Sequence, residues 1–286
     1  MYEWSYALSS ASYAPRTAPI LLTGDICSNM ARAAKMGYQA LEVHTRETAR
    51  LPFEQIRSVS EYSGVKVAMI ITGRLNTEGQ VSLIDDRSYV TDAAIAGLER
   101  YIEMAARLGA GLVIGWIRGK IPDVSRREAY LERLGENMSH VARMAESAKV
   151  ALCLEVINHY ETNILNTASE TLSFLDRYEI PNCSVHLDTY HMNMSELDPC
   201  AAIRLCGKRL GYFHLADNTR WYPGSGQIDF LSILQSLRDV GYDGYLSVEC
   251  LPEPDADTAA QNAIRYLREQ TNKIPIEQLD KERHPL

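Results

Sequence analysis

The sequence has few features of membrane or secreted proteins. Its apolar runs are all shorter than the roughly 20 residues needed to cross a bilayer. Its first residues, MYEWSYALSS, lack the basic and then apolar layout of a signal peptide. We therefore predict a cytoplasmic protein with no membrane association.

Motifs built from spaced cysteines or glycines are also absent. The six cysteines contain no CxxC pair, and Cys153, Cys183 and Cys250 fall in apolar runs typical of strands. We predict free, buried thiols. The GxGxxG motif of doubly wound, dinucleotide-binding sheets is missing as well, which argues against that fold class.

Positive charge is in short supply. The chain has 29 Lys and Arg against 37 Asp and Glu, a formal net charge of −8. Such a surface repels phosphate backbones on average, whereas nucleic-acid-binding proteins usually present a basic face. A small polar substrate is therefore expected in place of a nucleic acid, although a local basic patch would escape this average.

The chain does contain a repeated alternation of apolar and helical segments. Hydrophobic residues make up 46% of its 286 residues, enough for a well-filled core. Longer segments with helical spacing separate eight short apolar runs: WSYALS, ALEVH, VKVAMIIT, GLVIGW, VALCLEVIN, SVHLD, LGYFHLAD and GYLSVEC. Strands that alternate with helices form parallel sheets, and eight such units match an α/β fold, the closed (β/α)8 TIM barrel. We predict a single domain over residues 1–286, with a polar tail from about residue 271.

Glycines mark where several predicted helices end. Asp25 is placed to cap a helix that ends at Gly37, and Thr91 to Leu108 has apolar residues at three- and four-residue intervals before Gly109. The same helix-to-strand junction recurs in GYQALEV, LGAGLVIG and GYDGYLSVE. A left-handed glycine ends a helix without a Cβ penalty, so this residue suits equivalent corners of a repeated fold.

Polar residues end four consecutive predicted strands. Strands five to eight end in Glu155, Asp188, His214 and Glu249. TIM barrels carry their active sites at the carboxyl ends of the strands, so these side chains should meet at one mouth. Three carboxylates and an imidazole would repel one another there unless a cation joined them. The sequence therefore predicts one divalent metal ion, with Mn²⁺, Mg²⁺ or Co²⁺ as candidates; the alternative is four unrelated polar strand ends.

Three segments carry a resemblance to a known family. LEVINHYETNILNTASE, HLDTYHMNMSE and FHLADNTRWYPGSGQIDF resemble the ketose 3-epimerases related to D-tagatose 3-epimerase, within the xylose isomerase-like TIM barrels. The resemblance implies that Glu155, Asp188, His214 and Glu249 hold the metal, most often Mn²⁺, and that Glu155 and Glu249 form the catalytic acid/base pair. It also implies that His191 and Arg220 bind the carbonyl region of the sugar, and that Glu161 contacts hydroxyls near C1 and C2.

A basic set of residues departs from what a neutral sugar needs. The loops after strands three and four contain Arg74, Arg118 and Lys120. Because a guanidinium fork matches planar anions, Arg118 with Arg220 could hold a carboxylate or phosphate, and we hypothesise an acidic ketose such as a keto-uronate as substrate. The alternative is that these cations pair with acidic loop residues, namely Glu78, Asp85, Asp86 and Asp123.

Several alternatives stay open at this point. His44 ends strand two and is either a substrate contact or a satisfied buried histidine. The same metal site would also serve an aldose–ketose isomerase, or it would staple a non-catalytic sugar-binding barrel. An apurinic endonuclease of the same superfamily would need more histidine ligands and a basic face than this chain offers. We also expect a homo-oligomer, either a dimer or a tetramer.

Overall fold

Nine parallel strands form the centre of the computed structural model, which describes residues 3–46 and 51–274. The strands are β1 Ser5–Ala11, β2 Leu22–Thr23, β3 Ala40–His44, β4 Lys66–Ile71, β5 Gly111–Ile114, β6 Leu152–Glu155, β7 Cys183–Asp188, β8 Leu210–Leu215 and β9 Tyr245–Val248. Their order is β2-β1-β3-β4-β5-β6-β7-β8-β9, and β1 also pairs with β9, which closes the sheet. The predicted eight-stranded barrel is confirmed, with β2 as a short addition beside β1.

Helices follow the strands and pack around the barrel. They are α1 Ile26–Met36, α2 Phe53–Ser63, α3 Gly73–Thr77, α4 Ser88–Leu108, α5 Arg127–Ser147, α6 Ala168–Arg177, α7 Thr189–Ser195, α8 Pro199–Cys206, α9 Phe230–Asp239 and α10 Ala256–Asn272. Short 3-10 turns lie at Trp116–Arg118, Val124–Arg126 and Gly207–Arg209. Among the described residues, no helix is both long and apolar enough to cross a membrane.

The helix boundaries follow the capping residues. The Asp25 side chain accepts a hydrogen bond from Ser28 N at 2.8 Å and so satisfies a free amide of the first turn of α1. Gly37, Gly109 and Gly241 have φ of 86°, 64° and 70°, the left-handed conformation expected at the three recurring junctions. Helix α4 begins at Ser88, three residues earlier than the apolar periodicity predicts.

Alternation along the strands places the polar residues of the site inside the barrel. One buried cluster joins Met69, Ile71, Val113, Cys153 and Tyr212 from strands β4, β5, β6 and β8. Because side chains alternate between the two faces of a strand, the residue two positions later faces the same way. Glu155 follows Cys153, and His214 follows Tyr212, at that spacing.

The cysteine and tail predictions have different outcomes. All six cysteines are free, and Cys153 and Cys250 are buried as predicted, whereas Cys183 is only partly buried. Helix α10 continues to Asn272, so the predicted polar tail begins inside it. The remainder of that tail, from residue 275 onward, lies outside the described residues. The single-domain assignment stays a prediction.

Candidate active site at the carboxyl end of the barrel

The four predicted metal ligands lie together at the carboxyl end of neighbouring strands. Glu155 and Asp188 are the last residues of β6 and β7, His214 is the next to last of β8, and Glu249 directly follows β9. All four side chains are buried. The parallel register pairs Asp188 directly with His214, and it pairs Glu155 with His186, two residues before Asp188.

The imidazole of His214 is the centre of this group. Its Nδ1 atom lies 3.4 Å from Glu249 Oε2, 3.8 Å from Asp188 Oδ2 and 3.9 Å from Glu155 Oε1. Within the described part of the chain, this buried nitrogen has no hydrogen-bond partner. One nitrogen and several carboxylate oxygens converging at this spacing are a donor set that suits a divalent metal ion. The residues therefore fit the cation that the sequence predicts.

Glu42 holds His214 in place and was missed by the sequence analysis. Its Oε2 atom lies 2.7 Å from His214 Nε2 and accepts hydrogen bonds from Tyr212 Oη at 3.0 Å and Ser247 Oγ at 2.7 Å. Because a carboxylate only accepts, His214 donates from Nε2 and turns Nδ1 toward the acidic group. Burial alone would raise the pKa of Glu42, but the charges and hydrogen bonds of His214 and His44 together outweigh burial and lower that pKa well below its usual range.

His44 shares the same carboxylate. Its Nε2 atom lies 2.9 Å from Glu42 Oε1 and 3.7 Å from Glu249 Oε1. The ring therefore bridges Glu42 and the edge of the mouth, as expected of a satisfied buried histidine, and its contact with a substrate stays a prediction. The signal for Glu42 was present in ALEVH, where an acidic residue interrupts an apolar strand two positions before His44. Glu42 lies inside β3 and does not end it, so the positions of strand ends alone do not point to this residue.

Arg220 lies between two of the carboxylates. Its Nη1 atom donates to Asp188 Oδ2 at 2.7 Å, and its Nη2 atom donates to Glu249 Oε2. The guanidinium also lies 4.6 Å from the centre of the Tyr190 ring. Burial would raise the pKa of Asp188, but Arg220, His191 and His214 together outweigh burial and hold that pKa well below its usual range. Asp188 is thus ionised at neutral pH.

The loop that carries Arg220 is built around Asp217. This carboxylate accepts backbone hydrogen bonds from Gly224 and Gly226 at 2.9 Å each and from Ile228 at 3.1 Å. A Cβ atom on Gly226 would lie 2.1 Å from Asn218 Oδ1 and 2.4 Å from Asp217 Oδ1. The PGSG segment therefore needs glycine because the backbone passes directly over Asp217. Asp217 lies in the loop after β8 and does not end a strand, so it was not among the residues predicted from strand ends.

His191 faces the site from helix α7, which directly follows β7, and Glu161 faces it from the loop beyond β6. His191 Nε2 lies 3.8 Å from Asp188 Oδ2 and 3.9 Å from Glu155 Oε1. Its Nδ1 lies 2.7 Å from Asn158 Nδ2, which also donates to Glu161 Oε1 at 2.9 Å. Since an amide nitrogen only donates, Nδ1 accepts and Nε2 carries the proton. Burial lowers the pKa of His191 to about 4, so the ring is neutral at pH 7.

A cavity of about 530 Å³ opens above the cluster, and we call it the mouth cavity. Six of the predicted site residues line it: His44, Glu155, Glu161, His191, Arg220 and Glu249. Trp116 and Tyr190 add aromatic walls. Its size falls in the range of about 300–1,000 Å³ that is common for small-molecule sites. The structure thus brings these predicted residues to one surface, above buried Asp188 and His214.

The ionisation of Glu155 differs from that of Asp188. Burial raises the pKa of Glu155 to about 8, an effect that the His214 charge opposes and that Glu249 and Asp188 reinforce. The Arg220 guanidinium contacts Asp188 and Glu249, so these two carboxylates have an ionic partner that Glu155 lacks. Glu155 therefore holds a proton more readily than Asp188 does.

Arg118 lies away from the mouth cavity. Its side chain is fully buried and donates through Nη1 to the main-chain oxygen of Glu155. Burial lowers the pKa of Arg118 to about 10, and the Glu155 charge opposes that shift. Arg220 is directed at Asp188 and Glu249, so the two guanidiniums do not form a joint site for an acidic group. This geometry does not support the predicted joint contact of Arg118 and Arg220 with an acidic group of the substrate.

The other predicted cations have separate positions. Arg74 lines the mouth cavity and pairs with Glu78, as the alternative hypothesis expected. Asp85 pairs with Arg87, and Asp86 pairs with Arg126 and Arg133, while Asp123 caps a 3-10 turn. Lys120 is exposed and borders a neighbouring cavity.

Comparison with known proteins shows which family this chain resembles. A family profile described as xylose isomerase-like TIM barrel matches residues 30–270. The chain is 30% identical over 225 residues to the D-psicose 3-epimerase of Agrobacterium fabrum, covering 76% of each chain. It is 35% identical over 182 residues to the L-ribulose 3-epimerase of a Methylomonas species, and that match covers 61% of this chain and 63% of the relative. A solved L-ribulose 3-epimerase structure superposes with a TM-score of 0.79 at 22% identity, covering 99% of this chain and all of the other.

The chain belongs to the xylose isomerase-like TIM barrel family. The two relatives named above are 3-epimerases of ketoses, which confirms the family resemblance and the prediction of an isomerase-class enzyme. As a xylose isomerase-like barrel, the chain has its buried acidic cluster where barrels of this architecture carry their active sites. The solved structure, at that level of identity, supports the fold alone. The individual roles of Glu155, Asp188, His214 and Glu249 remain predictions.

Proposed function

We propose that this protein is a metal-dependent epimerase that inverts C3 of a ketose. The observation that carries the proposal is the pair of glutamates, Glu155 and Glu249, which both line the mouth cavity and both approach His214. Removing a proton beside a ketone leaves a negative charge on oxygen, and a divalent cation held by Glu155, Asp188, His214 and Glu249 would stabilise that charge. Mn²⁺ is the cation we favour.

Two carboxylates allow inversion when they act from opposite sides of the sugar. We propose that one of Glu155 and Glu249 removes the C3 proton and that the other returns a proton to the opposite face. The neutral His191 ring carries its proton on Nε2 and would donate it to the carbonyl oxygen as charge develops there. Arg220 would add positive charge beside the same oxygen, and Glu161 would accept a hydrogen bond from a neighbouring hydroxyl.

The contacts around the mouth cavity favour a neutral ketose over the hypothesised keto-uronate. Arg74 and Arg220 line this cavity, and each already pairs with a carboxylate. Arg118 is buried beside the main chain of Glu155. An acidic substrate would have to separate one of these ion pairs. We therefore expect neutral ketoses to be turned over faster than keto-uronates, and the reverse order would restore the acidic hypothesis.

Isotope exchange tests the reaction directly. The Mn²⁺-loaded protein is incubated in heavy water with a panel of neutral ketoses and keto-uronates, and mass spectrometry locates the deuterium. Deuterium at C3 together with the C3 epimer supports the proposal. Uptake at C1 or C2 with an aldose as product would instead assign an aldose–ketose isomerase, and binding without any exchange would favour the non-catalytic sugar-binding barrel.

The glutamate pair predicts a distinctive behaviour of single variants. In Glu155→Gln or Glu249→Gln, inversion should fall by about two to four orders of magnitude, because one face of the sugar has no base. The remaining glutamate should still exchange the C3 proton of one of the two epimers without inverting it, and the two variants should select opposite epimers. Metal content is measured for each variant as a control. Undiminished inversion in either variant would contradict the two-base mechanism.

The cellular location, the oligomeric state and the metal preference of the enzyme are separate from the reaction itself. We propose that it works in the cytoplasm as a dimer or tetramer and binds neither nucleic acid nor membranes. Mn²⁺, Co²⁺ and Mg²⁺ are compared by adding each to metal-free protein, because oxygen-rich sites accept all three. Mass measurement in solution gives the oligomeric state.

A further inference from the structure

A second cavity of about 440 Å³ lies beside the mouth cavity, and we call it the side cavity. The two cavities share Trp116 and Glu161 as walls. Its other walls come from the loops that follow β4, β5 and β6, on the same face of the barrel. Glu161 Oε1 lies 4.0 Å from His191 Nδ1, so the side cavity begins within one side chain of the proposed reaction centre.

The mouth cavity alone is large enough for a free ketose. The mouth cavity already lies within the size range of complete small-molecule sites, about 300–1,000 Å³. A ketose bound above Glu155 and Glu249 therefore leaves the side cavity unused. A substrate with a substituent that extends past Trp116 would occupy both spaces.

Hydrogen bonds between loops hold the side cavity in shape. Leu83 N donates to Ile117 O at 2.9 Å, and Asn163 bridges both ways to the main chain of Ile121 at 2.9 Å. Asn137 Nδ2 donates to Leu83 O at 2.7 Å from helix α5. The walls are thus fixed to one another and to a long helix, which lowers the entropy cost of binding a ligand.

A glycine in the wall allows two of these loops to meet. Gly119 has φ of 92°, and a Cβ atom there would lie 2.2 Å from Ser82 Oγ and 2.7 Å from Ile84 Cγ1. The backbone therefore approaches the opposite loop more closely than any side chain would permit. This close contact forms part of the cavity wall, between the polar Ser82 and the apolar Ile84.

Acidic and basic residues are equal in number around the side cavity, and both aspartates there form ion pairs. Its lining contains three acidic and three basic residues: Asp85, Asp86, Glu161, Arg87, Arg118 and Lys120. Arg87 donates two hydrogen bonds, of 2.8 and 2.9 Å, to the carboxylate of Asp85. Asp86 accepts from Tyr130 Oη at 2.6 Å and pairs with two arginines. Arg118 differs, because its buried Nε and Nη2 atoms have no hydrogen-bond partner among the described residues and are free to donate to ligand hydroxyls. The lining as a whole has no net formal charge, which suits a neutral ligand better than a charged one.

The remaining surface suits a neutral, hydroxyl-rich ring. Trp116 is 38% exposed at the junction of the cavities and presents an aromatic face. Asn76 uses its amide nitrogen on Val81 O at 2.8 Å, which leaves its amide oxygen as an acceptor. Thr162 adds a hydroxyl, while Ile84 and Ile157 supply apolar contact. Aromatic and apolar walls with a few fixed polar groups are typical of small-ligand sites.

We propose that the side cavity is a subsite for a second sugar ring, so that the preferred substrate is a disaccharide whose reacting unit is the ketose. This inference rests on the proposed function for the reaction itself. The ketose unit lies in the mouth cavity, and the attached neutral ring packs against Trp116 inside the side cavity.

The test compares a free ketose with a disaccharide that contains the same ketose unit. Wild type, Lys120→Trp and Lys120→Met are each loaded with Mn²⁺, and kcat/KM for C3 epimerisation is measured on both sugars. Tryptophan at this position fills part of the side cavity, whereas methionine removes the charge with little change in volume. We expect the disaccharide-to-ketose ratio of kcat/KM to fall by at least about tenfold in Lys120→Trp and to stay near the wild-type ratio in Lys120→Met.

Calorimetric binding of the two sugars to the same proteins separates the subsite from the reaction. Tighter binding of the disaccharide to wild type, lost in Lys120→Trp, supports the subsite even if no epimerisation occurs, and that result would defeat only the proposed function. Equal or weaker binding of the disaccharide to wild type overturns the subsite. A phosphorylated ketose that outcompetes the disaccharide, with the advantage lost in Lys120→Met, also overturns it by revealing an anion site.

Discussion

At the residue scale, Glu42 shows how a side chain without a predicted role organises the site. It is fully buried and contacts His44, Tyr212, His214 and Ser247 through its two oxygens. These partners come from three different strands, so one carboxylate joins opposite sides of the barrel interior. Its hydrogen bond to His214 sets which ring nitrogen faces Glu155, Asp188 and Glu249.

Replacing Glu42 should weaken metal binding. In Glu42→Gln the hydrogen-bonding shape is retained but the negative charge behind His214 is lost, so the ring becomes a poorer ligand. We expect the metal dissociation constant to rise by about 10- to 100-fold, measured calorimetrically on metal-free protein. Tyr212→Phe is the matched control, since it removes another hydrogen bond to Glu42 and leaves the contact with His214. An equal loss in both variants would mean that Glu42 only stabilises the fold.

Metal binding should also depend on pH through Glu155. Its pKa of about 8 means that this carboxyl group carries a proton at pH 7, which a cation must displace. Affinity should therefore rise with pH, by up to about tenfold per unit per displaced proton, and part of that rise should end near pH 8. Glu155→Gln removes that part of the profile. Calorimetry in two buffers of different ionisation enthalpy counts the released protons, and affinity independent of pH would refute the assignment.

At the element scale, the strands set the level of the site and the loops complete it. Asp188 of β7 pairs directly with His214 of β8, whereas Glu155 at the end of β6 pairs with His186, two residues before Asp188. The loop after β8 then folds back, with Leu251 N donating to Arg220 O at 2.8 Å, and brings Arg220 over Asp188. The position of Arg220 thus depends on backbone contacts of a loop around Asp217.

A methyl group at Gly226 should disturb that loop. In Gly226→Ala the new Cβ atom meets Asn218 and Asp217 at 2.1 and 2.4 Å, so the backbone must move and Arg220 with it. We expect kcat/KM to fall by about tenfold or more, because small displacements of positioning groups are costly in catalysis. Ser225→Ala, in the same loop but at an exposed position, serves as the control. Unchanged kinetics in Gly226→Ala would show that the loop tolerates the shift.

At the scale of the whole molecule, closure of the barrel is what creates the site. Pairing of β1 with β9 joins the two ends of the chain's sheet, and this brings Glu42 of β3 within hydrogen-bonding distance of Ser247 of β9. Residues 205 positions apart in the sequence therefore share one buried contact. A metal ion held by β6, β7, β8 and the residue after β9 would link half of the barrel.

Metal loading should therefore stabilise the fold. A ligand that binds only the folded state at 100 times its dissociation constant adds about 2.7 kcal/mol to the free energy of unfolding. We expect a higher Tm by calorimetry when Mn²⁺ is added to metal-free protein, and reversal by a chelator. Asp188→Asn should lose most of this increase because it removes a charged ligand candidate. The same increase in that variant would place the metal elsewhere.

The sequence alone determined the architecture and the level of the site. Eight apolar runs alternating with helical segments specify a parallel barrel, and strand ends are readable because alternation and glycine junctions are local properties. Glu155, Asp188, His214 and Glu249 could be selected in this way. Their metal ligation, and the substrate roles assigned to His191 and Arg220, came from a family resemblance and await experiment.

Tertiary structure alone decided which of the other polar residues reach the site. Glu42 lies in the middle of an apolar strand, and only closure of the barrel places it behind His214. Arg118 and Arg220 both follow strands that lead to the mouth, yet Arg118 turns inward beneath Glu155 while Arg220 turns over Asp188. The direction of a loop side chain depends on contacts with segments distant in the sequence, such as Asp217 with Gly226 and Gly119 with Ser82. Such contacts cannot be predicted from local sequence patterns, because the contacts form only when the barrel brings the loops together.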